Sequence, residues 1–349
     1  MSEHGERKAD HLDLCATDQV AFQSKTTLFE DVQLIHNALP ELHRDDVDLS
    51  TSLVGKTLQG PLVIAAMTGG LARADEVNRE LAQVADDLGL AFGFGSMRPL
   101  LEEGVTAGYL VRDVAPNAVL FANLGIVQAS QAKTDDIARM VERTGCDAIC
   151  IHLNPAMEVI QPGGDRDFRG GIATLERLVK GLPVPVIAKE TGCGLSRSVG
   201  QRIVETGVRT VDVSGAGGTS WVGVETLRAR ALSRRLGELY WDWGIPTAAS
   251  VLQLEGLGLE VIGTGGVNHG LDIAKALALG ATAGGMARPL LKAWNEGGQA
   301  GAHAAAVEVL EEVRIACLLT GAAGPSALRS QPRLLGPALQ AWAPGTGRS

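Results

Sequence analysis

The chain has 349 residues, 45% of them apolar and 4% aromatic, and a formal net charge of −9. That is apolar material for a large core, and a single α/β barrel of over ~250 residues accommodates the length. The acid excess opposes a phosphate backbone and the aromatics are too few for stacking platforms, so nucleic-acid binding is excluded.

The opening MSEHGERKADHLDLC has no apolar stretch of the kind a secretory leader carries, and no apolar run reaches the ~20 residues of a membrane span. A cytoplasmic protein without a membrane partner is expected. Cys15, Cys146, Cys150, Cys193 and Cys317 are odd in number and lack zinc spacing, which predicts buried free thiols.

Residues 1–60 read as an N-terminal extension that packs on the barrel. It carries Arg7, Lys8 and His11, a group suited to gripping phosphate or, equally, a solvated charge run. From residue 61 short apolar runs begin: PLVIAAMT (61–68), LAFGFGS (90–96), AVLFANLG (118–125), DAICIHLN (147–154), PVIAKE (185–190), RTVDVSG (209–215), LEVIGTGG (259–266) and ATAGGMA (281–287). Amphipathic stretches at 74–89, 134–145 and 270–280 separate some of them. Continuous apolar strands between helix-period segments imply a parallel sheet covered on both faces. Eight such units predict an α/β fold, a closed (β/α)8 TIM barrel, over 61–324. The alternative is an open doubly wound sheet, but GAGGTSW (215–221) has the wrong spacing for a dinucleotide fingerprint. Residues 303–321 predict a closing amphipathic helix, and the Gly- and Pro-rich 325–349 a flexible tail.

A barrel of this kind works at the C-terminal ends of its strands. Those ends carry Met67 and Thr68 before a glycine pair, Ser96 with Arg98, Asn123, His152 with Asn154, Lys189, Ser214, Gly265 with Gly266, and Ala287 with Arg288. GTGG after the seventh run and GMAR after the eighth, each leading into a helix, form the usual barrel phosphate site. Lys189 is either a fixed cation over an electron-rich ring such as flavin, or a lysine paired with Glu190. Trp221 either walls a pocket or fills space beneath a loop. The segment HLNPAMEVIQPGGD (152–165) groups His152, Asn154, Glu158 and Gln161 around Met157, a side chain with no proton to give.

The ordered set RKxxH, AAMTGG, GSMR, ANLG, HLNP, VIAKETGCGLS, VDVSGAGGTSW, GTGGV and MARPLL resembles type 2 isopentenyl diphosphate isomerase over residues 7 to 291. The resemblance implies an FMN-dependent (β/α)8 enzyme that interconverts isopentenyl and dimethylallyl diphosphates on reduced FMN. It also implies Mg2+ on the diphosphate, NADPH as reductant only, and a homo-oligomer, tetramer or octamer. Matched by position, Ala66, Met67, Thr68, Ser96, Asn123, Lys189, Ser214, Thr219, Gly265, Gly266, Met286 and Ala287 would hold FMN. Arg7, Lys8, His11, Arg98, His152 and Asn154 would hold substrate, Glu158 the metal, and His152, Met157 and Gln161 stand at the catalytic positions. The departure is Met157, because the family carries a Gln directly before the metal-binding Glu. Three readings stay open: an isomerase in which a water or Gln161 handles that proton, an FMN enzyme on a related phosphorylated substrate, and a silent flavin- and diphosphate-binding protein.

Overall fold

In the computed structural model, which describes residues 18–67 and 72–345, all eight apolar runs become strands. They are Leu62–Ile64, Ala91–Gly93, Val119–Gly125, Ala148–Leu153, Val186–Glu190, Thr210–Asp212, Glu260–Thr264 and Ala283–Met286. Each pairs in parallel with its neighbour in sequence, and Met286 of the eighth pairs with Ile64 of the first, so the sheet closes and the open alternative is excluded.

The strands read as unbroken apolar runs because both faces are buried. Val63, Ala91, Phe121, Cys150, Ile187 and Ile262 fill the barrel interior. Ile64, Phe92, Leu120 and Ile149 face outward to meet Leu81, Ile137, Leu175, Ile203 and Leu277 from the helical layer. A hairpin, Thr51–Leu53 with Lys56–Leu58, plugs the N-terminal end of the barrel. Leu53 and Leu58 are fully buried within the interior cluster, each contributing about 1.5–3 kcal/mol. The hairpin is pinned there by Glu260, which begins the seventh strand and accepts from Val54 N–H at 3.0 Å and Thr210 Oγ1 at 2.6 Å.

The predicted helices appear as Ala72–Asp87, Thr134–Thr144 and Gly270–Ala278. Thr134–Thr144 ends at Gly145, whose φ of 65° suits the left-handed closing turn. The closing helix is longer than expected, Arg288–Thr320, and Gly298 with φ 61° divides it in two.

Residues 325–345 are not the loose tail expected. Arg333–Leu335 pairs antiparallel with Val32–Leu34 of the extension, and Leu328 and Leu339 are fully buried. The high Gly and Pro content serves helix starts at Pro325 and Pro337 rather than disorder.

The described part of the N-terminal segment is hydrogen-bonded to the loops after the sixth strand. Its Val20 and Ala21 carbonyls accept from Ser220 N–H and Trp241 Nε1, and Phe22 N–H donates to Gly218. Arg7, Lys8, His11, Cys15 and Thr68 lie outside the described residues. Among those described, Cys146, Cys150, Cys193 and Cys317 are free, and no helix is long and apolar enough to cross a membrane.

Candidate active site

The C-terminal ends of the strands surround a cavity of about 440 Å3. Of the residues expected at FMN, Ala66, Met67, Ser96, Asn123, Lys189, Ser214, Thr219, Gly265, Gly266 and Ala287 line it. Arg98, His152, Asn154, Met157, Glu158 and Gln161 line it too. Met286 does not; its side chain is buried in the outer core, and its carbonyl accepts from Ala65 N–H at 2.9 Å. Arg98 is partly committed, since its Nε meets Glu102 Oε2 at 2.9 Å.

His152 is fixed from the third strand. Asn123 Nδ2 donates to the Phe94 carbonyl at 2.9 Å, which can only accept, so Asn123 Oδ1 is left to accept from His152 Nδ1 at 2.7 Å. The proton therefore sits on Nδ1, and Nε2 keeps a lone pair. Burial, reinforced by the Lys189 charge, pushes the imidazole pKa down to about 4, so the ring is neutral near pH 7.

Past the fourth strand, Asn154 begins the short helix Pro155–Ile160, and one turn brings Met157 and Glu158 to the cavity. Asn154 Nδ2 donates to Glu158 Oε1 and Asp165 N–H to Oε2, both at 2.8 Å.

Lys189 is not paired with the Glu190 carboxylate. Strands five and six register Lys189 beside Asp212, and Nζ lies 3.1 Å from Asp212 Oδ2 while donating to the Glu190 carbonyl at 3.2 Å. Asp212 Oδ1 accepts from Ser214 N–H at 3.1 Å. Glu190 points elsewhere: it caps its own loop by accepting from the Cys193 and Gly194 N–H groups. Burial holds its carboxyl up at about 8.

At the seventh strand, Gly265 and Gly266 adopt φ of 109° and 66° and pack backbone to backbone on the glycine loop after the sixth. A Cβ on Gly218 would stand 2.5 Å from Gly266 N, so no larger residue fits. Thr191 Oγ1 and Thr264 Oγ1 are buried without a protein hydrogen-bond partner, and both residues line the cavity. Buried hydroxyls of this kind are what a polar ligand satisfies. These groups, the Lys189–Asp212 pair and the glycine pair fit a bound flavin nucleotide. A cation is offered less: among the described residues no three His, Cys, Asp or Glu side chains gather into a metal cluster. Mg2+ tolerates one or two carboxylates when substrate phosphates complete its shell, which Glu158 fits.

Sequence reasoning missed Gln128, Asp165, Thr191, Asp212 and Thr264. The signal for Asp212 was the two-residue alternation that puts it on the face of Ser214; Gln128 sits on a helix, where strand periodicity is silent.

The family profile described as FMN-dependent dehydrogenase matches residues 3–167 and 169–333. An isopentenyl-diphosphate delta-isomerase of Cronobacter sakazakii is 45% identical over 333 residues, covering 94% of this chain and 96% of its own. That of Xanthobacter autotrophicus is 44% identical over 334 residues, covering 94% and 97%. That of Methanococcoides burtonii is 42% identical over 334 residues, covering 94% and 91%. The chain belongs to the isopentenyl-diphosphate delta-isomerase family. Isomerase-family chains are enzymes, and the fold is shared more widely. A mandelate oxidase variant determined with a monooxide FMN adduct superposes with a TM-score of 0.66 at 22% identity, covering 94% of this chain and 95% of its own. That likeness is one of fold.

Proposed function

We propose that this chain interconverts isopentenyl and dimethylallyl diphosphates, with FMN in the cavity, Mg2+ at Glu158 and NADPH as the source of reducing equivalents. The observation that carries this reading is one cavity in which flavin-type strand ends meet His152, Asn154 and Glu158 on the fourth unit.

Reduced FMN, when bound, supplies acid–base chemistry beside the substrate alkene. Lys189, fixed by Asp212, offers an oriented donor to the ring. Ala66, Met67, Ser96, Asn123, Ser214, Thr219, Gly265, Gly266 and Ala287 bound the flavin, with Thr68 beside them in sequence. Arg98 and Asn154 receive the diphosphate, joined by Arg7, Lys8 and His11 from the extension; His152, expected among them, has no N–H left for a phosphate oxygen, because its Nδ1–H is spent on Asn123. His152 is held as a neutral acceptor by Asn123. Met157 lines the cavity but cannot relay a proton, so Gln161, buried at the cavity wall, or a water takes that part. Met157 also favours a second reading, a related phosphorylated substrate with a larger apolar portion.

The reading includes self-association, supported by exposed apolar side chains on one helix. Leu232, Leu239 and Trp243 are 63, 74 and 60% exposed on and just after the helix Ala231–Tyr240. Apolar exposure of that kind supports a homo-oligomer, tetramer or octamer; a cytoplasmic location is part of the same proposal. The decisive experiment is anaerobic. Purified protein, FMN, NADPH, Mg2+ and isopentenyl diphosphate should yield dimethylallyl diphosphate, and a chelator should stop the reaction. Flavin reduction without product would shift the reading to another substrate.

A further inference from the structure

The carboxylate proposed for the metal is linked by hydrogen bonds, through a loop, to the helix after the third strand. Glu158 sits on a helix of little more than one turn, Pro155–Ile160, and its orientation depends on two donors, Asn154 Nδ2 and Asp165 N–H, each at 2.8 Å. Asp165 belongs to a loop containing Gly163, with φ 73°, and Gly164, a backbone with little stiffness of its own. The loop packs directly on the carboxylate: a Cβ on Gly164 would meet Glu158 Oε2 at 2.8 Å. What holds the loop is Gln128, on the helix Ile126–Gln131 after the third strand, whose Nε2 donates to Asp165 Oδ2 at 2.7 Å. Gln128 lines the same cavity, and its Oε1 and His152 Nε2 crowd one spot, both within 3.0 Å of where a Gly125 Cβ would stand.

We propose that Gln128 is a positioning residue for Glu158. It clips the loop through the Asp165 carboxylate, and the clipped loop aims the Asp165 N–H at Glu158 Oε2. The proposal rests on the reading of Glu158 as the metal-binding carboxylate. Mg2+ demands near-octahedral geometry, so a freely rotating carboxylate binds it poorly, and loss of an outer-shell partner typically weakens metal binding about 10–100-fold.

The test uses the FMN-loaded protein, with Mn2+ binding followed by electron paramagnetic resonance in the presence of isopentenyl diphosphate. Amide hydrogen exchange over residues 161–165 is followed in parallel. Gln128→Leu should weaken Mn2+ by about tenfold or more and speed exchange of the Asp165 N–H, with FMN occupancy unchanged. Gln128→Glu sets two carboxylates against each other and should do at least as much. Gln128→Glu combined with Asp165→Asn restores the link with its polarity reversed and should recover most of the Mn2+ affinity. Unchanged Mn2+ binding and exchange in Gln128→Leu overturns the proposal. So does a double variant no better than Gln128→Glu alone, which would make the Asp165 carboxylate itself the metal's partner. If the wild type and Glu158→Gln bind Mn2+ alike, the metal reading fails instead, and the exchange rates still decide whether Gln128 clips the loop.

Discussion

Met157 is the residue on which the proposed chemistry turns. Its side chain lines the same cavity as the hydrogen-bonded pair Asn154 and Glu158 and the buried Gln161. A positioned acid–base group is typically worth about 10²–10⁴-fold in rate. If the chain is an isomerase working without that group, Met157→Gln should raise turnover of isopentenyl diphosphate by at least tenfold, measured anaerobically with FMN occupancy matched. A Gln variant that stays FMN-loaded yet loses native turnover would place Met157 in the service of a different substrate. His152 makes a separate prediction. Its pKa is about 4 in the folded chain, below the ~6.5 of an unfolded His, so the unfolded state binds its proton first as pH falls. The stability linked to its neutrality is complete above pH ~6.5 and is lost as pH falls toward about 4. Denaturant midpoints taken from pH 7 to pH 4.5 should therefore fall less steeply in His152→Gln than in the wild type.

Between neighbouring elements the decisive arrangement is Lys189 on the fifth strand beside Asp212 on the sixth. Both are buried, at 8 and 4% residue exposure, and each satisfies the other's charge. Removing one partner leaves an uncompensated charge, at a cost of about 3–5 kcal/mol. Lys189→Met should accordingly lower the unfolding midpoint more than Lys189→Met combined with Asp212→Asn, a variant that keeps an acceptor for Ser214 N–H. In both variants reduced FMN should lose more affinity than oxidised FMN, because the reduced ring carries the negative charge that a cation favours. Equal losses for both redox states would remove Lys189 from the ring. The pairing was only half legible in the sequence. The run RTVDVSG shows Asp212 and Ser214 on one face of a strand, but only strand register sets Asp212, rather than Glu190, against Lys189.

At the scale of the whole molecule, the two ends of the chain fasten each other. Arg333–Leu335 pairs with Val32–Leu34, Leu339 N–H donates to Asp31 Oδ2 at 2.8 Å, and Arg329 donates to the Gly280 and Ala281 carbonyls. A chain ending at residue 324 forfeits the burial of Leu328 and Leu339, about 3–6 kcal/mol for the two, and exposes the apolar flank of the extension. Its Tm should fall well below that of the full chain, with cooperativity retained because the barrel interior is untouched; an unchanged Tm would make the tail dispensable.

By itself the sequence determined the barrel, its eight strands and the ring of polar residues and glycines at their ends. Those features are written in short-range patterns: unbroken apolar runs, helix-period segments between them, and the residue at which each run stops. Glu158, His152, Asn154, Lys189 and the Gly265–Gly266 pair were found because each ends or closely succeeds such a run. Only the tertiary structure decided which of these groups touch. Asn123 with His152, Asp212 with Lys189, and Gln128 with Asp165 join residues 29, 23 and 37 positions apart, on elements whose mutual register is set by packing. The tail shows the same division. Its Gly and Pro content signals breaks in regular structure, but whether such a segment stays loose depends on a partner strand some 300 residues away. Local composition carries no record of that partner, because pairing energy belongs to the contact and not to either segment alone.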